Sequence, residues 1–228
     1  MEKKEKIFVE NLKHSKEIFI IGPLFKENLA ISKRESSFLF IDGGSRFFDY
    51  VQKVFLDSFP NSTSTHFNTL KIGDGDSYDG TLDTKLPVCK NFSDLSYGLK
   101  FVVPSIEKVN LLGFLGGRKD HELFNLGEAY KILLSNQVDK KAKFLFDQSF
   151  ICFPPGNNSV TLDGTFSLFV LEEASISITG QIKYPLPTPT KIEPLSSLGL
   201  SNLSYGEFFI KSDKPTFIYI PPKVDLNE

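Results

Sequence analysis

"KVNLLGFLGGRKDHELFNLGEAYKILLSN", residues 108–136, changes period partway along. "KVNLL" is a short, apolar, β-rich run stopped by Gly113, the form of a buried strand. Beyond the glycines, Leu123, Leu126, Tyr130, Leu133 and Leu134 fall on one helical stripe. "AKFLFD" at 142–147 then reads as a strand again. A strand, a glycine turn, a helix and a second strand make the repeating unit of a parallel α/β sheet.

Working outward, "EIFIIG" (17–22), "SFLFIDGG" (37–44) and "NTLKIGD" (68–74) repeat the glycine-stopped strand. A mainly parallel sheet is therefore expected up to about residue 148, with ligands outside the carboxyl ends of its strands. Beyond that point the helical period disappears. The remaining chain consists of short β-rich runs punctuated by Pro-Pro-Gly-Asn-Asn, Asp-Gly, Thr-Gly and a Ser-Asp-Lys-Pro turn, which predicts a small antiparallel sandwich or barrel. "KYPLPTPTKIEP" (183–194) is expected to run extended over the surface. The expected organisation is a Rossmann-like α/β domain over 1–148 and a small antiparallel β-sandwich over 149–228.

Composition narrows the function classes. The chain of 228 residues is long enough for one large domain or two small ones. With 23 Phe and no Trp, its packing must rely on Phe rings. The net charge of −2, with no stripe of Lys and Arg, leaves no electrostatic footprint for nucleic acid. No apolar run has the length of a membrane helix, and the N-terminus is charged where a signal peptide would be apolar, so a cytoplasmic protein is expected. Cys89 and Cys152 have no Cys-x-x-Cys companion and read as buried free thiols.

The candidate chemistry lies where the strands end. In "KIGDGDSYDG" (71–80), Asp74 and Asp76 on extended chain would point to one side, with Gly75 opening space for a hard cation such as Mg2+. An Asx-turn explains the same residues. The spacing matches neither a calcium loop nor a dinucleotide fingerprint. In "GFLGGRKDH", Gly116 and Gly117 would let backbone approach a phosphate at a helix start, and Arg118 offers a forked donor. Asp120 could equally serve the helix dipole alone. In "KNFSD" (90–94), Ser93 or Asp94 reads as an N-cap. Asp42 and Gly43 in "FIDGGS" suit a nearby nucleotide or a tight turn. Four glycine-and-aspartate punctuations at the carboxyl ends of parallel strands favour one shared site over four independent turns.

These segments resemble, in order and over nearly the whole chain, those of thiamine pyrophosphokinases. "IDGGS" is similar to that family's Asp-Gly-Gly-Ala, "GDGDS" to Gly-Asp-x-Asp-Ser, and "KNFSD" to Lys-Asp-x-Thr-Asp. "GGRKDHELFNL" resembles Gly-Gly-Arg-x-Asp-His, the most specific match, and "GQIKYPL" and "GLSNLSYGEFFI" resemble the family's β-rich segments. Asn91 stands where the family usually has Asp, Leu115 where it often has Thr, and Gly75 where it has a bulky residue. The segment from Ser77 to Asp94 is short for the helix and strand commonly found there.

The resemblance implies a homodimer with shared sites that transfers the pyrophosphoryl group of ATP to the thiamine hydroxyl, with Mg2+, releasing AMP. It implies catalytic roles for Asp74, Asp76, Asp94 and Asp120, with Asp74, Asp76 and Asp94 at the metal. It implies nucleotide contacts from Asp42, Gly43, Gly116, Gly117 and Arg118, and thiamine contacts from Tyr184, Ser201 and Asn202. Asp74→Asn or Asp120→Asn is then expected to abolish AMP release. The same chemistry on another alcohol, such as a hydroxymethyl pterin, and a catalytically weakened thiamine- or nucleotide-binding protein are the other readings.

Overall fold

The computed structural model describes residues 2–61, 67–135 and 137–222. β1 (Glu17–Ile21) and β2 (Ser37–Ile41) are buried at every position, as strands covered on both faces must be. β3 (Asn68–Gly73), the two-residue β4 (Thr84–Lys85), β5 (Lys108–Leu112) and β6 (Lys143–Phe146) join them in a parallel ladder ordered β6-β5-β1-β2-β3-β4.

Alternate side chains leave this ladder on opposite faces. Ile18, Ile20, Leu39 and Ile41 pack in one core with α1 (Lys3–Leu12), α3 (Asp94–Leu99) and α4 (Lys119–Leu134). Phe19, Ile21, Phe38 and Phe40 pack in another with Val51 and Phe55 of α2 (Phe48–Ser58). That second face accounts for much of the Phe excess. Phe38 stacks on Phe19 at 5.4 Å and meets Phe55 and Phe67 at 5.8 and 5.0 Å, contacts worth about 0.5–1.5 kcal/mol each beyond their burial.

The β-rich half continues this sheet. β7 (Phe150–Phe153) pairs antiparallel with β6 and with β12 (Thr216–Tyr219), and β12 pairs with the last residues of β8 (Gly156–Phe169). The rest of β8 pairs with β11 (Asn202–Ser212), followed by β9 (Ala174–Ile182) and β10 (Leu186–Ile192). Among the described residues this makes one mixed sheet of twelve strands with four α-helices. β7 and β12 serve two cores: Cys152 and Phe217 face the first, while Phe153 and Ile218 face a third lined by β8, β9, β10 and β11. The antiparallel half thus keeps its own core while sharing a continuous ladder with the parallel half.

Several local expectations are corrected. Asp163-Gly164 and Thr179-Gly180 lie inside β8 and β9, where Gly180 coincides with a register shift against β11. The proline-rich stretch does run extended, but as the edge strand β10, where a missing N–H costs least. On α4, Leu126, Ala129 and Leu133 are buried whereas Leu123 and Leu134 are exposed, so the buried stripe is narrower than expected. Cys152 is buried, but Cys89 is exposed. No helix among the described residues is long and apolar enough to cross a membrane.

Candidate active site

The carboxyl ends of β1, β2, β3 and β5 open into a cleft of about 720 Å3, lined in part by Asp42, Asp76, Lys90, Asp94, Arg118 and His121. Backbone geometry brings the first acids together. The chain leaves β2 with Asp42 in the left-handed region, at φ 47°. Gly73, the last residue of β3, lets Asp42 approach, since a Cβ there would lie 2.8 Å from the Asp42 Cα. Asp42, Asp74 and Asp76 each offer an oxygen within 4.8 Å of the others.

The segment carrying Asp74 and Asp76 is a turn rather than extended chain. The Asp76 amide donates to Asp74 Oδ1 at 3.2 Å, so the Asx-turn expected as an alternative exists alongside the acidic cluster. Turn chemistry and carboxylate convergence are compatible here because each aspartate has two oxygens.

Lys90 organises the other side. Its side chain is only 8% exposed, with Nζ 2.7 Å from Asp74 Oδ2 and 3.0 Å from Asp94 Oδ1. The contact to Asp94 is an ion pair, and Lys90 is the polar partner of Asp94 Oδ1. Ser93 caps α3 by accepting from the Ser96 amide at 3.0 Å, and this sets Asp94 in the first helical turn. Among the described residues, Asp42 Oδ1 and Ser45 Oγ are buried side-chain atoms left with neither a hydrogen bond nor an ion pair. The first belongs to an acid of this cleft. Buried polar atoms are ordinarily paired, so this is where an added ligand would be satisfied.

The electrostatics follow from these partners. The hydrogen bond from Lys90 lowers the Asp74 carboxyl. Asp42 beside Asp76 raises the Asp76 carboxyl, and burial raises that of Asp94 against the pull of Lys90. Burial pulls the Lys90 ammonium down, but Asp74 and Asp94 together hold it above the ordinary lysine value. Carboxylate oxygens that crowd one another and include an unpartnered atom fit a hard divalent cation. Of the acids expected at a metal, Asp74 and Asp76 cluster with Asp42, whereas Asp94 faces Lys90.

The glycine loop is more occupied than its sequence suggests. The Asp147 carboxylate accepts the amides of Gly113, Phe114 and Leu115 at 2.6, 3.1 and 3.0 Å. Glu122 accepts the Gly116 amide at 2.8 Å and also pairs with Lys119. Gly117 and Arg118 line the cleft; Gly116 does not. Arg118 pairs with Asp120 in exposed surroundings, and this hydrogen bond brings the Asp120 carboxyl down to about 2. Asp120 neither joins the acidic cluster nor lines the cleft.

Tyr184, Ser201 and Asn202 form a separate group. Asn202 is buried and holds the Tyr184 backbone through two bonds, accepting from N at 3.0 Å and donating to O at 2.8 Å. Ser201 is in the left-handed region, and the Tyr184 ring is 58% exposed. None of the three lines the acidic cleft of the same chain. Sequence reasoning did not foresee the buried position of Lys90, the Ser77 hydroxyl donating to Asp42, or the Asp147 and Glu122 carboxylates on the glycine loop. The one signal available was that "FLFD" ends a strand on an aspartate, as three other strands do.

Fold and site together define an α/β protein with an acid-lined cleft at the carboxyl end of a parallel sheet, continued by an antiparallel half. Solved thiamine pyrophosphokinases share this fold. The enzyme from Bacillus subtilis aligns at TM-score 0.67 and 20% identity, over 91% of this chain and 100% of that one. The enzyme from Geobacillus thermodenitrificans aligns at 0.66 and 20%, over 92% and 100%. The Candida albicans enzyme aligns at 0.60 and 14%, over 93% and 89%. No protein-family model matches the chain, and no curated protein matches it.

Proposed function

We propose that the protein is a divergent thiamine pyrophosphokinase, which transfers the pyrophosphoryl group of ATP to the hydroxyl of thiamine and releases AMP. The observation that carries this reading is the convergence of Asp42, Asp74 and Asp76, the first and last of which line a cleft at the carboxyl ends of parallel strands, in a fold shared with such enzymes. Residues 1–148 would act as a Rossmann-like nucleotide-binding unit and 149–228 as the thiamine-binding unit.

Each residue has a role suited to its surroundings. Asp42, Asp74 and Asp76 would hold Mg2+, which when bound neutralises phosphate charge. Lys90 keeps Asp74 and Asp94 in place, and Gly117 and Arg118 meet the phosphates from the other side of the cleft. As the acceptor oxygen bonds to the β-phosphorus, the bond to the AMP oxygen breaks and the hydroxyl proton passes to a carboxylate. We assign that proton to Asp94, whose carboxyl lines the cleft and is raised by burial against the pull of Lys90. Asp120, held charged by Arg118, is the weaker base and orients the guanidinium.

Tyr184, Ser201 and Asn202 would contact thiamine in the cleft of a second copy, within a homodimer. A second reading, a binding protein with little turnover, draws on Glu122 and Lys90, which already occupy the Gly116 amide and two of the carboxylates. Incubation with ATP, Mg2+ and a panel of alcohols separates the possibilities. Thiamine diphosphate and AMP in equal amounts support the first reading, and thiamine binding without AMP supports the second. AMP formed only with another acceptor would overturn the choice of thiamine.

A further inference from the structure

The acids of the proposed metal site come from the ends of two different strands, and their charges repel. Something must hold the turn bearing Asp76 against the turn bearing Asp42. Arg46 lies in the 3-10 turn Asp42–Phe47, four residues beyond Asp42. Its Nε donates to the Gly43 carbonyl at 2.8 Å, and its Nη2 donates to the Ser77 carbonyl at 3.0 Å. The Ser77 hydroxyl in turn donates to Asp42 Oδ2. Gly43 makes room for this arrangement: a Cβ there would lie 2.8 Å from Ser77 Oγ and 2.9 Å from the guanidinium. Apart from the local bond of the Asp76 amide to Asp74, the two links to Ser77 are the hydrogen bonds that tie residues 75–82 to the rest of the chain among the described residues.

We infer that Arg46 is a positioning residue for the metal site: by bridging the Gly43 and Ser77 carbonyls it clamps the Asp76 turn to the Asp42 turn and preorganises the three carboxylates. This rests on the proposed metal-binding role of Asp42, Asp74 and Asp76. Arg46 touches none of the three carboxylates through a hydrogen bond or ion pair among the described residues, so its effect passes through the backbone and Ser77. The planar fork of arginine spans two carbonyls, which a lysine ammonium on a flexible stem does poorly.

Binding of Mn2+, followed by electron paramagnetic resonance of the free ion, tests the clamp without any turnover. Arg46→Gln and Arg46→Lys should each weaken Mn2+ binding by about five- to twentyfold, the scale of losing one or two modest hydrogen bonds. Their melting temperatures in EDTA, and their affinity for ATP in EDTA, should stay at the parent values. Ser77→Ala should weaken Mn2+ binding similarly, and the double variant with Arg46→Gln should lose less than the product of the two factors, because both act on one tether. Unchanged Mn2+ affinity in Arg46→Gln overturns the clamp and leaves the metal site standing. Loss of metal-free ATP binding by the same factor also overturns it, and makes Arg46 a phosphate contact. If Arg46→Gln fails to fold, Ser77→Ala decides, and parental Mn2+ affinity there overturns the clamp. No Mn2+ binding by the parent protein overturns the metal reading and the clamp together.

Discussion

Asp74 takes part in three interactions at once. One oxygen accepts the Asp76 amide, the other accepts Lys90, and the carboxylate still stands within the acidic cluster. Asp74→Asn keeps the turn but removes the charge that pairs with Lys90. AMP release is expected to fall at least about a hundredfold, the scale of losing one preorganised electrostatic partner, with the melting temperature little changed. Asp120→Asn frees an exposed Arg118 and should cost much less than Asp74→Asn, contrary to the equal loss expected from sequence. Comparable losses in the two variants would return Asp120 to the reacting centre. Ser45 offers a separate test. Its hydroxyl is buried and unpartnered, where the resembled family carries alanine. Ser45→Ala should stabilise the protein by about 1 kcal/mol, read as a rise of roughly 2–4 °C in melting temperature. A fall would show that the hydroxyl has a partner in solution.

At the scale of elements, α1 holds the elements behind the cleft in place through one buried acid. Glu5 accepts the Thr84 hydroxyl of β4 at 3.1 Å and the Tyr97 hydroxyl of α3 at 2.9 Å, and also caps its own helix through the Glu2 amide. α3 carries Asp94, so α1 braces the cleft from behind. Burial, followed by the bond to Glu5, pushes the Tyr97 hydroxyl up to about 12. A raised value of this kind contributes stability that is present below the ordinary tyrosine value of 10 and lost as pH rises through about 12. Glu5→Ala should destabilise the fold by about 2–4 kcal/mol by leaving two hydroxyls unpaired, and should lower the pH at which Tyr97 ionises. Ultraviolet titration against Tyr97→Phe isolates that one ring; an unshifted midpoint in Glu5→Ala would remove the link. The strand-to-helix unit around 108–136 was legible in sequence because each of its periods is local. The link from Glu5 to Thr84 and Tyr97 was not, because it joins residues 79 and 92 positions apart.

For the whole molecule, the two halves share β7 and β12, and Phe217 is where their packing meets. It is fully buried in the first core, stacks on Phe169 of β8 at 5.1 Å and faces Tyr130 of α4 at 6.4 Å. A second tie runs from Tyr130 through Glu172 to Lys214. Phe217→Ala should cost about 3–5 kcal/mol, as large-to-small changes of buried aromatics do. Calorimetry should show a single lower transition, because the two cores lie on opposite faces of the same strands, β7 and β12. Two resolved transitions in the parent protein would instead make the halves independent.

The order of strands and helices in the first half, the change to closely spaced strands near residue 148, and the placing of acids at strand ends were all decided by the sequence alone. Each depends on periodicity and on glycine or aspartate at a run's end, which neighbouring residues impose on one another. Tertiary structure alone decided that Asp42 joins Asp74 and Asp76, that Lys90 is buried between Asp74 and Asp94, and that one ladder runs through both halves. Those outcomes depend on which strand ends lie side by side and which charges share a desolvated space, and contacts between distant segments exist only once the sheet has closed.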